Sequence, residues 1–287
     1  MLALQLLATG LVTGCALGIV AISFSLVYAT TKIFHVAHAG IYTLGGYLAW
    51  SLVMYGAPLL VAVLVSVVVC AALGALIQNQ LYARLERRRA THLVVLIASL
   101  GALAVIQNII AAVYTPNILQ FPLVWTSHMV ALGVVRLNYT QLLTIVLSLL
   151  AYAGTMLFAH GTILGKRIRA VASNPMLADI TRLQPQSVYI YVIAIASALV
   201  CLPGILVPLD LGLQPYNGVT PLLTATIAMI AGGVGSITGA FTLSIAIAVV
   251  QNLSLLVMPG EWSIGVTFFI FVIFMLFRPT GLFAAAR

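Results

Sequence analysis

His35 and His38 are three residues apart, and this spacing predicts that both rings lie on one face of a helix, with Tyr42 one turn further along. Such a face offers hydrogen bonds to a zwitterionic solute in transit, or bonds that hold neighbouring helices together, as polar residues in apolar segments commonly do. The same two interpretations apply to three further polar residues: Asn217, Thr220 and Gln251. These six residues are the candidates for lining a solute path.

Acidic residues are few and peripheral. The sequence has four of them, and all fall in or at the edges of the loops between apolar stretches: Glu86, Asp179, Asp210 and Glu261. An ion-coupled carrier generally keeps an ionisable side chain at membrane depth, although placing it there costs at least about 2.5–3.5 kcal/mol. We therefore expect the energy for transport to come from outside this chain.

An ATP site would need the P-loop pattern GxxxxGK[ST], whose backbone amides hold phosphate and whose hydroxyl holds magnesium. The nearest approach, GTILGKR at 161–167, is one residue too short and ends in Arg167 instead of Ser or Thr. The sequence also lacks HExxH, GxSxG and a spaced carboxylate pair. We predict that the chain is not an enzyme and binds no cofactor itself.

The three cysteines, Cys15, Cys70 and Cys201, lie in separate apolar runs without CxxC or Cys/His spacing. Such cysteines are usually small buried hydrophobic residues. We expect neither a disulfide nor a metal site.

The elements that position these side chains are membrane-spanning helices. Of the 287 residues, 63% are hydrophobic and 6% are charged, whereas soluble domains carry about 25% charged residues. Apolar runs such as 59–77 do not alternate with polar residues, which excludes a transmembrane barrel. A span needs about 20 apolar residues. The sequence predicts an all-α polytopic membrane protein with about eight or nine spans, from runs at 4–29, 33–54, 57–82, 93–114, 139–159, 189–209, 219–234, 237–257 and 263–277.

Glycines mark places where helices are expected to bend or approach closely. Gly10, Gly14 and Gly18 repeat a small-xxx-small spacing that lets a neighbouring helix pack closely on the first span. The second and seventh spans are rich in glycine, threonine and histidine, so we expect broken or re-entrant helices that line a cavity. Two glycine-rich stretches, 37–49 and 231–243, are predicted to have opposed orientations and indicate an inverted internal repeat that brackets a solute path. Four glycines of the seventh-to-eighth span region are predicted to form a hinge or a close packing contact: Gly232, Gly233, Gly235 and Gly239.

Basic residues predict the orientation, because Lys and Arg near span ends are retained on the cytoplasmic side. With nine spans and a cytoplasmic C-terminus, only Arg136 faces outward. This arrangement places the N-terminus outside and the longest polar loop, 160–188, inside. Eleven basic residues are then cytoplasmic: Lys32, Arg84, Arg87, Arg88, Arg89, Lys166, Arg167, Arg169, Arg182, Arg278 and Arg287.

The 160–188 loop has more organisation than a solvated connector requires. A basic entry leads into RAVAS, a short amphipathic helix, then Asn174-Pro175 and a second short helical stretch. The rule that basic residues are retained on the cytoplasmic side accounts for the basic residues of this loop. It does not explain the length of the loop or the helix–turn–helix order of its small residues.

Several segments in collinear order resemble a known family. They are LVYATTKIFHVAHAGIYTLGGYLAW, LGKRIRAVASNPMLADITRL, AIASALVCLPGILVPLDLG, TIAMIAGGVGSITGAF and the terminal FRPTGLF. Together they closely resemble the permeases of high-affinity branched-chain amino acid ABC importers. The resemblance implies that 1–287 form a single transmembrane permease domain of the cell inner membrane, which provides the path for amino acids.

The resemblance also implies that the 160–188 loop docks into a groove on a cytoplasmic ATP-binding subunit. The residues carried over to this coupling role are Arg169, Ala170, Val171, Ala172, Asn174, Pro175 and Ala178. The implied partners are a second similar permease, two ATP-binding subunits that hold ATP and magnesium, and an extracytoplasmic solute-binding protein, with no nucleic acid. The sequence departs from the family pattern at Arg182-Leu183, where glycine followed by Ile or Val is usual, and at Gln251, where glutamate is common.

Two other functions are weighed against the importer. One is a self-sufficient secondary carrier or facilitative channel for small polar solutes, and the other is an intramembrane enzyme. Leucine, isoleucine and valine are the solutes that the resemblance implies; amides, urea, aromatic amino acids and small carboxylates are alternatives. Selectivity is expected to rest with the solute-binding protein.

Overall fold

Helices make up almost all of the regular structure, which confirms the predicted all-α polytopic fold. The computed structural model describes residues 1–123, 126, 128–181, 183–278 and 281–283. Arg182, Arg287 and the Pro279-Thr280 part of the terminal motif lie outside the described residues. The helices are α1 (Leu2–Thr31), α2 (His38–Met54), α3 (Leu59–Ile77), α4 (Ala83–Arg87), α5 (His92–Tyr114), α6 (Tyr139–Gly161), α7 (Ile163–Ser173), α8 (Pro175–Ile180), α9 (Pro185–Leu211), α10 (Val219–Gly232), α11 (Ile237–Ser254) and α12 (Ser263–Phe277).

Among the described residues, seven helical segments are long and apolar enough to cross a membrane: α1, the joined α3–α4, α5, α6, α9, α11, and α12 with the 3₁₀ turn before it. A π-helical turn, Gln78–Tyr82, joins α3 to α4, so the third span continues to Arg87. The second and seventh predicted spans form shorter helices, α2 with 17 residues and α10 with 14. A 14-residue helix is about 21 Å long, which is less than the roughly 30 Å of a bilayer core.

Both short helices begin inside the protein, after non-helical segments. Lys32 ends α1 in the left-handed conformation, with φ 57°, and α2 starts only at His38 rather than near residue 33 as predicted. Residues 212–218 are also non-helical and lead into α10. A Cβ atom on Gly218 would collide with the Ala39 carbonyl oxygen and would lie 2.7 Å from the Thr43 hydroxyl. The start of α10 therefore packs directly on the first turn of α2.

The glycine stripe of α1 is the contact face for α11, as its spacing predicts. A Cβ on Gly10 would lie 2.8 Å from the Cα of Val249, and a Cβ on Gly14 would lie 2.6 Å from the Cα of Ile245. One turn further along, Gly18 faces the ring of Phe241. The partner residues run backward along α11 in steps of four, so the two helices are antiparallel and their backbones nearly touch.

Small residues also bring α9 against α2 and α3. Gly204 in α9 packs on the backbone of Tyr42, and a Cβ on Gly46 would lie 2.5 Å from the Gly204 carbonyl oxygen. Gly74 in α3 faces the Ser197 hydroxyl of α9. Helices in membranes associate through such close packing, because lipid offers no hydrophobic driving force between them.

One end of the molecule carries a β-hairpin that the sequence reasoning did not predict. Strands β1 (Met129–Leu132) and β2 (Val135–Asn138) pair antiparallel between α5 and α6. The Gln5 side chain donates to the Arg136 carbonyl at 2.7 Å and accepts from the Arg136 backbone N–H at 2.9 Å. The only basic residue predicted to face outward therefore lies beside the start of α1.

The other end gathers the basic residues of α4, of the turn that follows it and of α7. The Gln186 side chain donates to the Glu86 carboxylate at 2.7 Å, which ties the first turn of α9 to α4. The four acidic residues lie at helix ends, in α8 or in the 3₁₀ turn: Glu86, Asp179, Asp210 and Glu261. The sequence-based inference that no carboxylate sits in the middle of a span is confirmed.

We predict that Gly14→Leu will destabilise the folded chain, because the new side chain would meet the backbone of Ile245 rather than a movable side chain. Overpacking of this kind costs about 1–3 kcal/mol. The matched control is Gly154→Leu in α6, where a Cβ meets nothing within 4 Å. Thermal unfolding of the purified chain in detergent should show a lower midpoint for Gly14→Leu only; equal midpoints would contradict the contact.

Candidate solute path and coupling segment

The two histidines singled out from the sequence lie in a closed polar cluster between α1, α2, the π-helical turn and α5. His35 Nδ1 is 2.6 Å from the Tyr82 hydroxyl, which donates to Ser99 Oγ at 2.8 Å. The Ala37 backbone N–H also donates to Ser99 Oγ, at 3.0 Å. His38 Nε2 is 2.8 Å from the hydroxyl of Ser23. Ser23 lies eight residues before the end of α1, so the cluster sits about 12 Å inside that helix end.

The hydrogen bonds fix the tautomer of each ring. Ser23 Oγ donates its single proton to the Val20 carbonyl, so His38 Nε2 must donate to Ser23. Tyr82 donates to Ser99, so His35 Nδ1 must donate to Tyr82. Each ring is left with one acceptor nitrogen, His35 Nε2 and His38 Nδ1, that has no partner among the described residues. Two buried acceptors side by side, with ring centroids 5.4 Å apart, are suited to a shared donor such as water.

The other candidate path residues are dispersed. Tyr42 is buried in the core, and its backbone packs against α9. Asn217 and Thr220 are exposed around the start of α10. The Gln251 side chain donates to the Thr267 hydroxyl and so joins α11 to α12. In this conformation only Asn217 and Thr220 are open to a solute, whereas the histidines and Gln251 bond between helices.

Sequence reasoning did not identify Tyr82 and Ser99 as members of this site. Tyr82 is the last residue of the predicted third run, 57–82, and lies 47 residues after His35, and no motif marks it as a partner of that histidine. The signal that was available is the interruption of α3 by polar residues from Gln78 onward, where the structure has a π-helical turn. Such turns occur frequently at functional sites.

The four glycines of the α10–α11 connection form a tight turn. Gly232 and Gly239 face each other so closely that a Cβ on either would collide with the backbone of the other. Gly233 and Gly235 have φ values of 101° and 87°, which L-residues with side chains rarely adopt. The C-terminal Phe283 donates its N–H to the Gly232 carbonyl at 3.1 Å, and this bond covers the end of α10.

The 160–188 loop folds as a helix–turn–helix at the basic end. α7 begins after Thr162, whose hydroxyl accepts the Gly165 N–H at 2.9 Å. α8 begins after Asn174, whose side chain accepts the Leu177 N–H at 3.0 Å, and Pro175 is its first residue, a favoured position for proline. This arrangement agrees with the order of short helix, turn and short helix expected from the sequence.

The residues predicted to couple divide into an inner and an outer set. Val171 and Ala178 are buried, and they hold α7 and α8 against the ends of α9 and the α3–α4 span. Ala172 is half-buried. The remaining residues of the predicted set are exposed: Arg169, Ala170, Asn174 and Pro175.

The outer surface of α8 carries three large apolar side chains that sequence reasoning did not select. Met176 is 78% exposed, Leu177 is 58% exposed and Ile180 is 76% exposed. They belong to a loop between spans rather than to a lipid-facing helix. Exposed apolar clusters outside the membrane typically mark a contact with another protein.

Residues 6–275 match the family described as branched-chain amino acid transport system, permease component. The chain belongs to this family. This confirms the resemblance drawn from the collinear motifs and identifies the protein as a transport component. Within the described ranges, no group of three His, Cys, Asp or Glu residues is placed to hold a metal, and Cys15, Cys70 and Cys201 are free and buried.

This permease is 27% identical to the high-affinity branched-chain amino acid transport system permease protein BraD of Pseudomonas aeruginosa, over 97% of the chain and 95% of BraD. It is 24% identical to the corresponding LivH proteins of Salmonella typhimurium and Escherichia coli K12, over 97% of the chain and 94% of each relative. Among solved structures it is similar to PsaBC from Streptococcus pneumoniae in complex with Fab, with a TM-score of 0.52 and 14% identity, over 96% of this chain and 91% of that one. This likeness shows the fold alone.

We predict that Tyr82→Phe will lower the stability of the permease. Without the hydroxyl, the buried His35 Nδ1–H loses its acceptor, and leaving a buried donor unsatisfied costs about 1–3 kcal/mol. Tyr28→Phe is the control, since the Tyr28 hydroxyl has no hydrogen-bond partner within the described part of the chain. The comparison is the thermal midpoint in detergent, and equal losses for both variants would refute the bonded cluster.

Proposed function

We propose that this permease forms the membrane path of an ATP-driven amino-acid importer, with branched-chain amino acids as the principal solutes. The observation that carries the proposal is the family match over 6–275, supported by relatives whose names state high-affinity branched-chain amino acid transport. The chain acts as a single permease domain without its own ATPase site. ATP and magnesium bind to the partner subunits.

The proposed partners are a second permease of similar fold, two cytoplasmic ATP-binding subunits and an extracytoplasmic solute-binding protein. A second permease is supported by the exposed positions of Asn217 and Thr220, because polar residues around the start of a buried helix need a neighbour or water. The two residues then line a path between the permeases. His35, His38, Tyr42 and Gln251 stay predicted path residues, reached only if the helices around them move.

The orientation follows from charge. The described basic residues other than Arg136 flank the end of the molecule that carries α7 and α8, and such residues are retained in the cytoplasm. We therefore place the α7–α8 end inside and the β-hairpin end outside, in the cell inner membrane. This orientation puts the N-terminus outside and the C-terminus inside.

The α7–α8 segment is proposed to couple this path to ATP hydrolysis. Its buried residues, Val171 and Ala178, fix it to the spans, and Met176, Leu177 and Ile180 offer an apolar surface to the ATP-binding subunit. Force applied to the outer surface is then transmitted to α6 and α9, which flank the segment in sequence. The hinge role proposed for Gly232, Gly233, Gly235 and Gly239 would let the α10–α11 turn follow that movement.

A self-sufficient carrier is the second candidate, and transport assays separate the two. We expect proteoliposomes with the permease alone to show no accumulation of leucine against a gradient. Liposomes with the full complex, ATP and the solute-binding protein should accumulate it. Accumulation by the permease alone, driven by an ion gradient, would overturn the importer.

We predict that Met176→Glu will abolish co-purification of the ATP-binding subunit, because a carboxylate would enter an apolar contact. The control is Met258→Glu, which places the same change at an exposed methionine beyond the outer end of α11. Both variants should reach the membrane in normal amounts. If Met176→Glu retains its partner and its ATPase stimulation, α8 is not the docking surface.

A second pair of changes tests the rigidity of the coupling segment. Replacing Asn174-Pro175 by Gly-Gly removes the side-chain cap and the first residue of α8, where the loss of a cap alone costs about 0.5–2 kcal/mol. Ala172→Arg adds bulk on the half-buried side of α7. For both variants we expect normal membrane insertion but loss of solute-stimulated ATP hydrolysis. Normal hydrolysis in both would show that the segment is only a connector.

A further inference from the structure

A cavity of about 640 Å³ lies at the basic end, between α7 and the body of the permease. Its walls come from the last turns of α1 and α6, the inner side of α7, the α10–α11 turn and the C-terminal Phe283. It is separate from the histidine cluster and from the exposed surface of α8, because none of those residues lines it. Arg169 and Ala172 of the coupling set and Gly235 of the hinge set line it, but docking and hinge motion do not explain why a cavity lies here.

The ionisable side chains that line this cavity are all basic. Lys32 from α1, His160 from α6 and Arg169 from α7 line it, and no acidic residue does. Hydroxyl side chains line it as well: Ser25, Ser173, Ser236 and Thr238, together with Thr30, whose own proton is donated to the Leu26 carbonyl at 2.8 Å. Basic and hydroxyl groups converging from separate helices are the donor set that a phosphate group requires.

The backbone adds to this preference for an anion. α11 is an 18-residue helix that begins at Ile237, and Ser236 to Thr238 at its start line the cavity. The N-terminus of a helix of this length carries partial positive charge and free N–H groups. This contribution supplements the three basic side chains, which come from three other helices.

The cavity is also amphipathic. Leu26, Met156, Phe158, Ile168 and Phe283 contribute apolar surface beside the basic groups. A small inorganic anion has no use for such surface, whereas the glycerol and upper acyl chain of a phospholipid do. Basic pockets between transmembrane helices on the cytoplasmic side typically bind anionic lipid headgroups.

We propose that this cavity binds a phosphate-bearing anion, and that the headgroup of an anionic phospholipid is the source that its apolar lining favours. The phosphate lies between Lys32 and Arg169 and so bridges α1 to α7. Arg169, which sequence reasoning assigned to docking, then faces a lipid on its inner side. A bound lipid ties the coupling segment to the spans. The lipid composition of the membrane therefore sets how rigidly α7 is held against α1.

The test is a titration of the purified full-length permease, in a neutral detergent, with phosphatidylglycerol, phosphatidylcholine or inorganic phosphate. Native mass spectrometry counts the bound molecules and gives apparent Kd values. The test variant is Lys32→Gln with Arg169→Gln. The control variant is Lys166→Gln with Arg167→Gln, which removes the same charge next to Arg169 but from residues that do not line the cavity.

We expect phosphatidylglycerol to bind the wild type more tightly than phosphatidylcholine. The test variant should weaken it roughly 25-fold, because each basic residue near an anionic headgroup contributes about fivefold. The control variant should keep wild-type affinity. Saturating inorganic phosphate that fails to displace the lipid identifies the lipid as the source, and phosphate that binds and displaces it identifies a soluble phosphate; either result supports the anion site.

Equal affinity of the wild type for the two lipids, together with no phosphate binding, would overturn the proposal. An equal loss in the test and control variants would overturn it too, because net charge alone would then explain the binding. If the double variant fails gel filtration, the single variants Lys32→Gln and Arg169→Gln replace it, with about fivefold expected for each. The wild-type comparison of the two lipids needs no variant at all.

Discussion

Non-helical backbone inside a bilayer must find its hydrogen-bond partners within the protein, because the hydrocarbon core offers no water. This requirement explains how α2 and α10 can begin deep in the structure. The Ala37 N–H before α2 is taken by Ser99 Oγ at 3.0 Å, and the Leu213 N–H before α10 is taken by the Leu119 carbonyl at 2.8 Å. The polar histidine cluster is thus part of what permits a short helix at this depth.

Close packing is the second condition that these short helices need. Gly218 sits against Ala39 at the point where both helices begin, and Gly204 sits against Tyr42 one turn further along. A larger residue at either glycine would push the packed helices apart. The non-helical backbone before α2 and α10 would then be exposed. Hydrogen bonding of the non-helical backbone and close packing at glycines are therefore both needed around α2.

Local patterns predicted much of this architecture. Apolar runs located all the spans, the spacing of Gly10, Gly14 and Gly18 predicted a helix contact, and the Asn174-Pro175 turn was recognisable from sequence. The β-hairpin was not predicted although its two strands are separated by only two residues, and the partner of His35 was not predicted because that contact is distant in sequence. The Tyr82 hydroxyl reaches His35 from 47 residues away, and that pairing exists only after the π-helical turn has packed against the segment between α1 and α2. The outer surface of α8 was missed because burial, rather than residue type, separates Met176 from Ala178.

The register between α1 and α11 has a mechanical consequence. Gly10, Gly14 and Gly18 lie about 6 Å apart along α1. Each contacts one residue of α11, and those residues are Val249, Ile245 and Phe241. Sliding one helix along the other would need a displacement of about 6 Å, from one glycine to the next. Packed interfaces switch between such discrete arrangements instead of deforming continuously. We therefore expect the two helices to move together as one rigid body during transport, so that any relative motion falls to the connections on either side of them.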